Sequence, residues 1–115
     1  MSGFMNERRT KIAIYFDLID TIKREQEMKG EAKPTRVMYG ANLSWERMKQ
    51  FVDELSGSGF LEYRDGGSDD RTKQVICFTD ENLAYRIVRS YRKEGIRGVR
   101  QMYSELPECL RHALL

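Results

Sequence analysis

Apolar residues recur at helical spacing through much of this chain. One set follows the i, i+3, i+4, i+7 pattern of a helix with a single buried face, and it consists of Met48, Phe51, Val52 and Leu55. A longer helix is predicted over residues 6–28, where the buried positions are Ile12, Tyr15, Phe16, Ile19 and Ile22. Ile14 and Leu18 add a second apolar strip, so this first helix is expected to be covered on more than one side.

Two predicted helices meet at a very short corner, residues 40–43. The corner has room only for a tight turn, and Asn42 tolerates a left-handed backbone there. Pro34 suits the first turn of the helix before the corner, because its missing N–H is not needed at that position. Ser44 is a good N-cap for the helix after it. A helix, a tight turn and a second helix with a polar outer face form the arrangement that enters the major groove of DNA.

The remaining pattern predicts a hairpin and further helices. Strands are expected at residues 60–64 and 73–78 around a polar, glycine-containing loop. A fourth helix is expected from about residue 80 to residue 93, with Thr79 as its cap; its predicted buried residues are Leu83, Ile87 and Tyr91. Gly95 and Gly98 should interrupt it, and a last helical stretch, residues 99–115, should restart at Pro107.

This order of elements predicts a winged helix-turn-helix fold. The class is α+β and mostly helical, with a three-helix core, a β-hairpin wing at residues 65–72 and C-terminal helices. We expect the winged helix-turn-helix domain to span residues 6–93 and a C-terminal helical extension, a candidate dimerisation element, to span residues 94–115.

The residues around the corner also resemble a known family. The segment Thr35-Arg-Val-Met-Tyr-Gly-Ala-Asn-Leu-Ser44, followed by Phe51-Val-x-x-Leu55 and Gly59-Phe-Leu61, closely resembles small archaeal winged-helix DNA-binding proteins. Their type members are the chromatin-associated dimers first known from Sulfolobus. The resemblance covers roughly residues 10–90 and implies an archaeal, dimeric, DNA-binding protein acting in transcription or chromatin. In that family a long C-terminal helix pairs with its twin, whereas Gly95, Gly98 and Pro107 interrupt the equivalent region here.

Candidate base contacts lie on the helix after the corner. Arg47 is suited to a bidentate contact with guanine and Gln50 to one with adenine. The other candidate DNA contacts there are Ser44, Trp45 and Lys49. Trp45 either packs against Leu43 or the wing, or stacks on a base or sugar. Helical geometry places Arg47 and Glu54 on one flank, and Trp45 and Lys49 on the other.

Acidic residues on the same helix keep a second interpretation open. Glu46 and Asp53 oppose the approach of phosphate, and residues 44–56 sum to −1. The outer face is therefore either a DNA-reading surface or a face for a protein partner or solvent.

Candidate phosphate contacts come from three places. Lys33, Thr35 and Arg36 begin the second helix, where backbone N–H groups and the helix dipole favour a phosphate; they otherwise serve solubility. In the wing we expect Arg71 and Lys73 to contact DNA, despite nearby acids. Residues 86–100 carry six basic residues against one acid, Glu94, which indicates a solvated helix face or nucleic-acid contact.

The sequence gives little support for an enzyme, a cofactor or a metal site. His112 is the only histidine, Cys77 and Cys109 form no metal-binding cluster, and Gly66-Gly67 is a turn signal rather than a phosphate-binding loop. No apolar run is long enough to span a membrane, and no secretory signal is recognisable, so we expect a cytoplasmic protein without catalytic residues.

The C-terminal apolar residues exceed what a terminal tail should leave in water: Val99, Met102, Tyr103, Leu106, Leu110, Ala113 and Leu114. They either fold back on the first helix or form a homodimer seam, and the dimer is favoured.

The predicted function is double-stranded DNA binding, as an archaeal transcriptional regulator or chromatin-associated factor. In this prediction the recognition helix lies in the major groove and the wing on the backbone. The alternative is a winged-helix protein–protein interaction module without direct DNA reading.

Overall fold

The computed structural model describes residues 9–66 and 74–115. In chain order, the elements are helices α1 (Lys11–Lys29), α2 (Pro34–Gly40) and α3 (Trp45–Gly57), strands β1 (Leu61–Asp65) and β2 (Gln74–Phe78), helix α4 (Glu81–Arg100), a 3-10 turn (Tyr103–Glu105) and helix α5 (Glu108–Leu114). β1 and β2 pair antiparallel, with Leu61 opposite Phe78 and Asp65 opposite Gln74. The predicted winged helix-turn-helix with C-terminal helices is confirmed. None of the helices in these two ranges is both long and apolar enough to cross a membrane.

α1 is the helix around which the core is assembled. Tyr15 meets the ring of Phe51 in α3 edge-on, with the ring centroids 5.3 Å apart, and Phe16 stacks on another ring, Tyr91 of α4, at 5.2 Å. Burial on several sides of α1 was predicted from its two apolar strips. Its predicted start near residue 6 is wrong, because Thr10 has an extended backbone and its hydroxyl caps the helix by accepting from the N–H of Ala13 at 3.2 Å.

The corner between α2 and α3 has the predicted conformation. Asn42 adopts a left-handed backbone with φ 57°, and the N–H of Leu43 donates to the carbonyl of Met38 at 3.0 Å. The hydroxyl of Ser44 accepts from the N–H of Arg47 at 3.2 Å, which caps α3. These short-range bonds set the direction in which α3 leaves α2.

Arg9 holds this corner from outside. Its guanidinium donates to the carbonyls of Ala41 at 2.9 Å and Asn42 at 3.0 Å, and to the carboxylate of Asp17 in α1 at 2.9 Å. The second oxygen of Asp17 accepts from the hydroxyl of Tyr91 at 3.1 Å. One carboxylate therefore ties α1, the corner and α4 together, a role that the sequence pattern did not indicate.

The start of α4 differs from the prediction. Asp80, not Thr79, caps the helix, and its carboxylate accepts from the N–H of Leu83 at 3.0 Å. Thr79 instead donates its hydroxyl to the carbonyl of Gly59, which ties the end of β2 to the end of α3. Ile87 is buried as predicted, but Leu83 and Tyr91 are only partly buried.

The two glycines late in α4 have different roles. Gly95 breaks the helix as predicted, with φ 68° and ψ −154°. Gly98 does not interrupt it. It is buried, and a Cβ there would lie 2.9 Å from the carbonyl oxygen of Ser90. Gly98 is therefore required for close packing of the chain after the break.

The C-terminal segment folds back on the core of the single chain. Its buried apolar residues join the same cluster as α1 to α4; they are Val99, Leu106, Leu110 and Leu114. Pro107 restarts the chain into α5, as predicted, and the N–H of Cys109 donates to the hydroxyl of Ser58 at 3.1 Å. Of the two alternatives for this apolar set, folding back on α1 is the one that the structure shows.

Gly40 is expected to tolerate no side chain. A Cβ at this position would lie 2.6 Å from the methyl group of Thr21, so Gly40→Ala should lower the free energy of unfolding by about 1–3 kcal/mol. Chemical denaturation measures this, with Gly57→Ala as the matched control, because a Cβ at Gly57 meets nothing within 4 Å. Adding Thr21→Ser should restore part of the loss. Equal stability of the Gly40 and Gly57 variants would contradict this packing.

Stability is expected to fall in alkali through two phenols, the buried Tyr15 and the partly buried Tyr91. Burial, followed by the charge of Asp17, raises the pKa of Tyr91 to about 12, and burial together with the bond to Glu54 raises the pKa of Tyr15. The fold therefore favours the neutral phenols, and this stabilisation is complete below about pH 10 and lost above it. Denaturation midpoints between about pH 9 and about pH 11 should fall less steeply in Tyr15→Phe than in Tyr39→Phe, whose ring is exposed. Parallel slopes would be the contrary result.

Candidate nucleic-acid interface

An open groove of about 670 Å³ lies between the start of α2, one flank of α3 and the β-hairpin. The predicted contacts that line it are Lys33, Thr35, Arg36, Trp45 and Lys49. Pro34 of α2, Tyr63 of β1 and Gln74 of β2 complete the lining. Residues predicted separately, as phosphate contacts of one helix and as base or sugar contacts of the next, therefore share one surface.

Local structure places each side chain on this surface. Lys33 is the residue before α2 and has an extended backbone. Trp45 is the first residue of α3, directly after the Ser44 cap, and Lys49 follows one turn later on the same flank. The Lys49 ammonium lies 5.9 Å from the ring centroid of Tyr63, which joins α3 to the hairpin.

Trp45 forms part of the groove wall and is not a core residue. Its exposed fraction is 48%, so a large aromatic surface faces the same space as the cations. Tyr63 is more enclosed, and burial, followed by the charge of Asp53, raises its pKa. The groove therefore offers aromatic surface beside positive charge.

The lining of the groove contains three cations and no carboxylate. Each cation has an acid nearby: Lys33 lies 3.8 Å from Glu31, Arg36 3.5 Å from Glu25, and Lys49 3.8 Å from Asp53. The three basic side chains are exposed by 42%, 55% and 54%. Exposed ion pairs of this kind contribute at most about 1 kcal/mol each, so a phosphate competes with these acids at little cost.

Arg47 and Gln50 lie outside the groove. The Arg47 guanidinium sits over the ring of Phe51, 5.3 Å from its centroid, and the Gln50 amide donates to Glu54 at 3.4 Å. Glu54 also accepts from the hydroxyl of Tyr15 in α1. The two flanks of α3 are those predicted, with Arg47 and Glu54 towards α1, and Trp45 and Lys49 towards the hairpin.

Ser44, another predicted contact, does not line the groove. The hydroxyl of Ser44 caps α3, while Arg71 and Lys73 lie outside the described residues. Sequence reasoning missed Tyr63 and Gln74, because a tyrosine in an alternating strand is usually assigned to the core. In residues 9–66 and 74–115, no group of three or more His, Cys, Asp or Glu side chains is arranged to hold a metal ion.

Comparison with known proteins agrees with this architecture. A family model described as winged helix-turn-helix matches residues 8–92. The chain belongs to the winged helix-turn-helix family.

Archaeal relatives of this winged-helix protein include two uncharacterized proteins of Methanocaldococcus jannaschii. One is 31% identical over 55 residues, which cover 48% of this chain and 52% of that protein. The other is 32% identical over 59 residues, which cover 51% of this chain and 26% of that protein. The aligned part of the chain thus spans about half of the first relative and about a quarter of the second.

Solved structures share the fold at low identity. Sso10a-2, a DNA-binding protein from Sulfolobus solfataricus, superposes with a TM-score of 0.52 and 20% identity, over 84% of this chain and 95% of that one. ZitR, a zinc-responsive MarR family member from Lactococcus lactis, gives a TM-score of 0.55 and 8% identity, over 95% of this chain and 71% of that one. The resemblance to small archaeal winged-helix proteins is confirmed at the level of family and fold.

The three lining cations predict a positive potential in the groove, which is testable through Trp45, the only tryptophan. Because the cations lie beside its exposed ring, iodide should quench its fluorescence more strongly than caesium does, and added salt should reduce the difference. Lys33→Gln/Lys49→Gln should reduce the difference as well. The control is Lys11→Gln/Arg24→Gln, which removes the same charge from two exposed residues of α1 and should leave it unchanged. Equal quenching by both ions in the wild type would contradict a positive groove.

Proposed function

We propose that this chain binds double-stranded DNA, with a sugar-phosphate backbone lying in the groove between α2, α3 and the hairpin. The observation that carries the proposal is the convergence of Lys33, Arg36 and Lys49 beside the exposed ring of Trp45. Cations that approach phosphates provide most of the affinity of DNA-binding proteins and little of their sequence preference. The aromatic wall is suited to packing against a sugar at the edge of the duplex.

Sequence preference comes from the first turns of α3 in this proposal. Residues near the start of a recognition helix reach base edges when the helix enters the major groove. Arg47 would contact a guanine, leaving the face of Phe51, and Gln50 would contact an adenine. Glu46 is exposed at the same end of α3 and would accept only from the amino group of cytosine.

The relatives support a role in archaeal transcription or chromatin. The named neighbours are a DNA-binding protein from Sulfolobus and a MarR family member, and the sequence relatives are archaeal. In this proposal residues 6–93 form the DNA-binding unit, with Arg71 and Lys73 of the wing on the backbone, and residues 94–115 form a helical extension.

The homodimer stays a prediction. Four of the seven apolar C-terminal residues that favoured it are buried within a single chain, Leu106 and Leu110 among them, whereas Tyr103 is 39% exposed. Two-fold recognition of DNA would need a contact between two chains that these four buried residues do not provide. Sedimentation equilibrium with and without duplex DNA measures the oligomeric state directly.

A salt titration of binding to duplex DNA tests the proposed function. Log affinity should fall linearly with log salt, and Lys49→Gln should reduce the slope by about 0.9, the value for one lost phosphate contact. The Lys11→Gln variant, outside the groove, is the charge-matched control. Absence of binding at low salt, or a slope near zero, would overturn the proposal.

Arg47 and Lys49 should differ in how they affect sequence preference. Arg47→Ala is expected to weaken preferred sites by about 1–3 kcal/mol and other sequences little, whereas Lys49→Ala should weaken all sequences alike. Binding to a randomised duplex pool, followed by sequencing, measures both effects. Uniform loss from both variants would remove Arg47 from base reading.

The acidic residues on the outer face of α3 favour a second candidate function, that of a protein-interaction module. Glu46 and Asp53 are exposed on its outer face, where both oppose phosphate. A stable complex with a basic protein, lost in Glu46→Gln and accompanied by no DNA binding, would favour this candidate over the first.

A further inference from the structure

A second positively charged groove lies between α1 and α4. Its volume is about 540 Å³, and its charged lining consists of Lys23, Arg89, Arg92, Lys93 and Glu27. The lining therefore carries four cations against one carboxylate. None of its residues belongs to the groove at α2 and α3.

The cations of this second groove fall into two groups. Lys23 lies 3.3 Å from Glu81, and Arg92 lies 2.6 Å from Asp20 and 3.6 Å from Glu27. These pairs hold α4 against α1.

Arg89 and Lys93 form the other group. Within residues 9–66 and 74–115, neither side chain has an ion pair with a carboxylate, and both are exposed. They stand four residues apart, so they are neighbours on one face of α4 with Cβ atoms about 5–6 Å apart. Tyr85, one turn earlier on the same face, is 49% exposed and lines the same groove. The face therefore combines two available cations with an aromatic ring, as the first groove does.

The two grooves lie on opposite sides of α1. Successive residues of an α-helix are turned by about 100°, so Lys23 points about 160° away from both Thr21 and Glu25. Thr21 touches Gly40 of α2, and Glu25 pairs with Arg36 of the first groove. A DNA duplex lying in the first groove therefore leaves the α4 groove open.

We propose that the α4 groove binds the phosphate backbone of a second DNA duplex, so that one chain joins two duplexes. The inference rests on the proposed function, since it takes the same ligand for the second surface. An open groove along α4, where Arg89 and Lys93 have no ion pair with any described residue, fits a continuous polyanion better than a single small anion. It also gives a role to the basic stretch of residues 86–100, which the groove at α2 and α3 does not use.

A bridging assay tests this inference. One duplex is fixed to beads, protein is added at low salt, and recovery of a second, labelled duplex is measured. The wild type should recover the labelled duplex, and Arg89→Gln/Lys93→Gln should reduce recovery to background. Arg89→Lys/Lys93→Arg, which keeps both charges, should retain it, and Lys11→Gln/Arg24→Gln controls for the loss of two charges elsewhere.

Binding to a single duplex at excess DNA, measured in parallel, separates the two proposals. The Arg89→Gln/Lys93→Gln variant should bind one duplex with wild-type affinity, while Lys33→Gln/Lys49→Gln should weaken that binding. No binding of any duplex by the wild type would defeat the proposed function itself. Single-duplex binding without bridging would defeat the second site alone.

Two other outcomes also contradict the second site. If bridging persists in Arg89→Gln/Lys93→Gln, a dimer must join the two duplexes, each chain binding one duplex in its groove at α2 and α3. Recovery of labelled RNA or an acidic protein in place of the second duplex, lost in the same variant, would show that the α4 groove takes a different polyanion.

Discussion

The corner at residues 40–43 is the constraint on which the candidate interface depends. It fixes the angle between α2 and α3, and the groove exists only because the start of one helix faces the flank of the other. Three independent features stabilise it. Asn42 has a left-handed backbone, the Arg9 guanidinium donates hydrogen bonds to two carbonyls of the corner, and Gly40 packs closely against Thr21. Because the carboxylate of Asp17 accepts hydrogen bonds from both Arg9 and Tyr91, the corner is connected to α4 and the core.

The parts of the structure that local chemistry determines could be predicted from the sequence. The apolar spacing of α3, the turn at Asn42 and the cap at Ser44 each depend on residues within one or two turns. Predictions failed where a contact between residues far apart in the sequence determines the local structure. Thr79 and Asp80 are both able to cap α4, and the choice follows from the bond between Thr79 and the carbonyl of Gly59. Gly98 stays helical, and it lies where a Cβ would come within 2.9 Å of the carbonyl oxygen of Ser90.

The candidate groove could be predicted residue by residue but not as a surface. Its assembly needs the hairpin to be placed against α2, which depends on a bond from the N–H of Ile76 to the carbonyl of Ala32 at 2.8 Å. No pattern in the local sequence predicts that pairing, so Tyr63 and Gln74 were not among the predicted contacts. The net charge of +2 does not indicate the site either, since basic residues line two grooves while acidic residues lie on the outer face of α3.

The DNA proposed to bind this protein lies in the groove between α2, α3 and the hairpin. The most direct test is a titration of isotope-labelled protein with a short duplex at low salt, following the backbone amide signals by NMR. With DNA at a small fraction of the protein concentration, we expect the largest shifts at Thr35, Trp45, Lys49 and Tyr63, and none in α5. Binding that shifts α5 or α4 and leaves those four amides unchanged would contradict it.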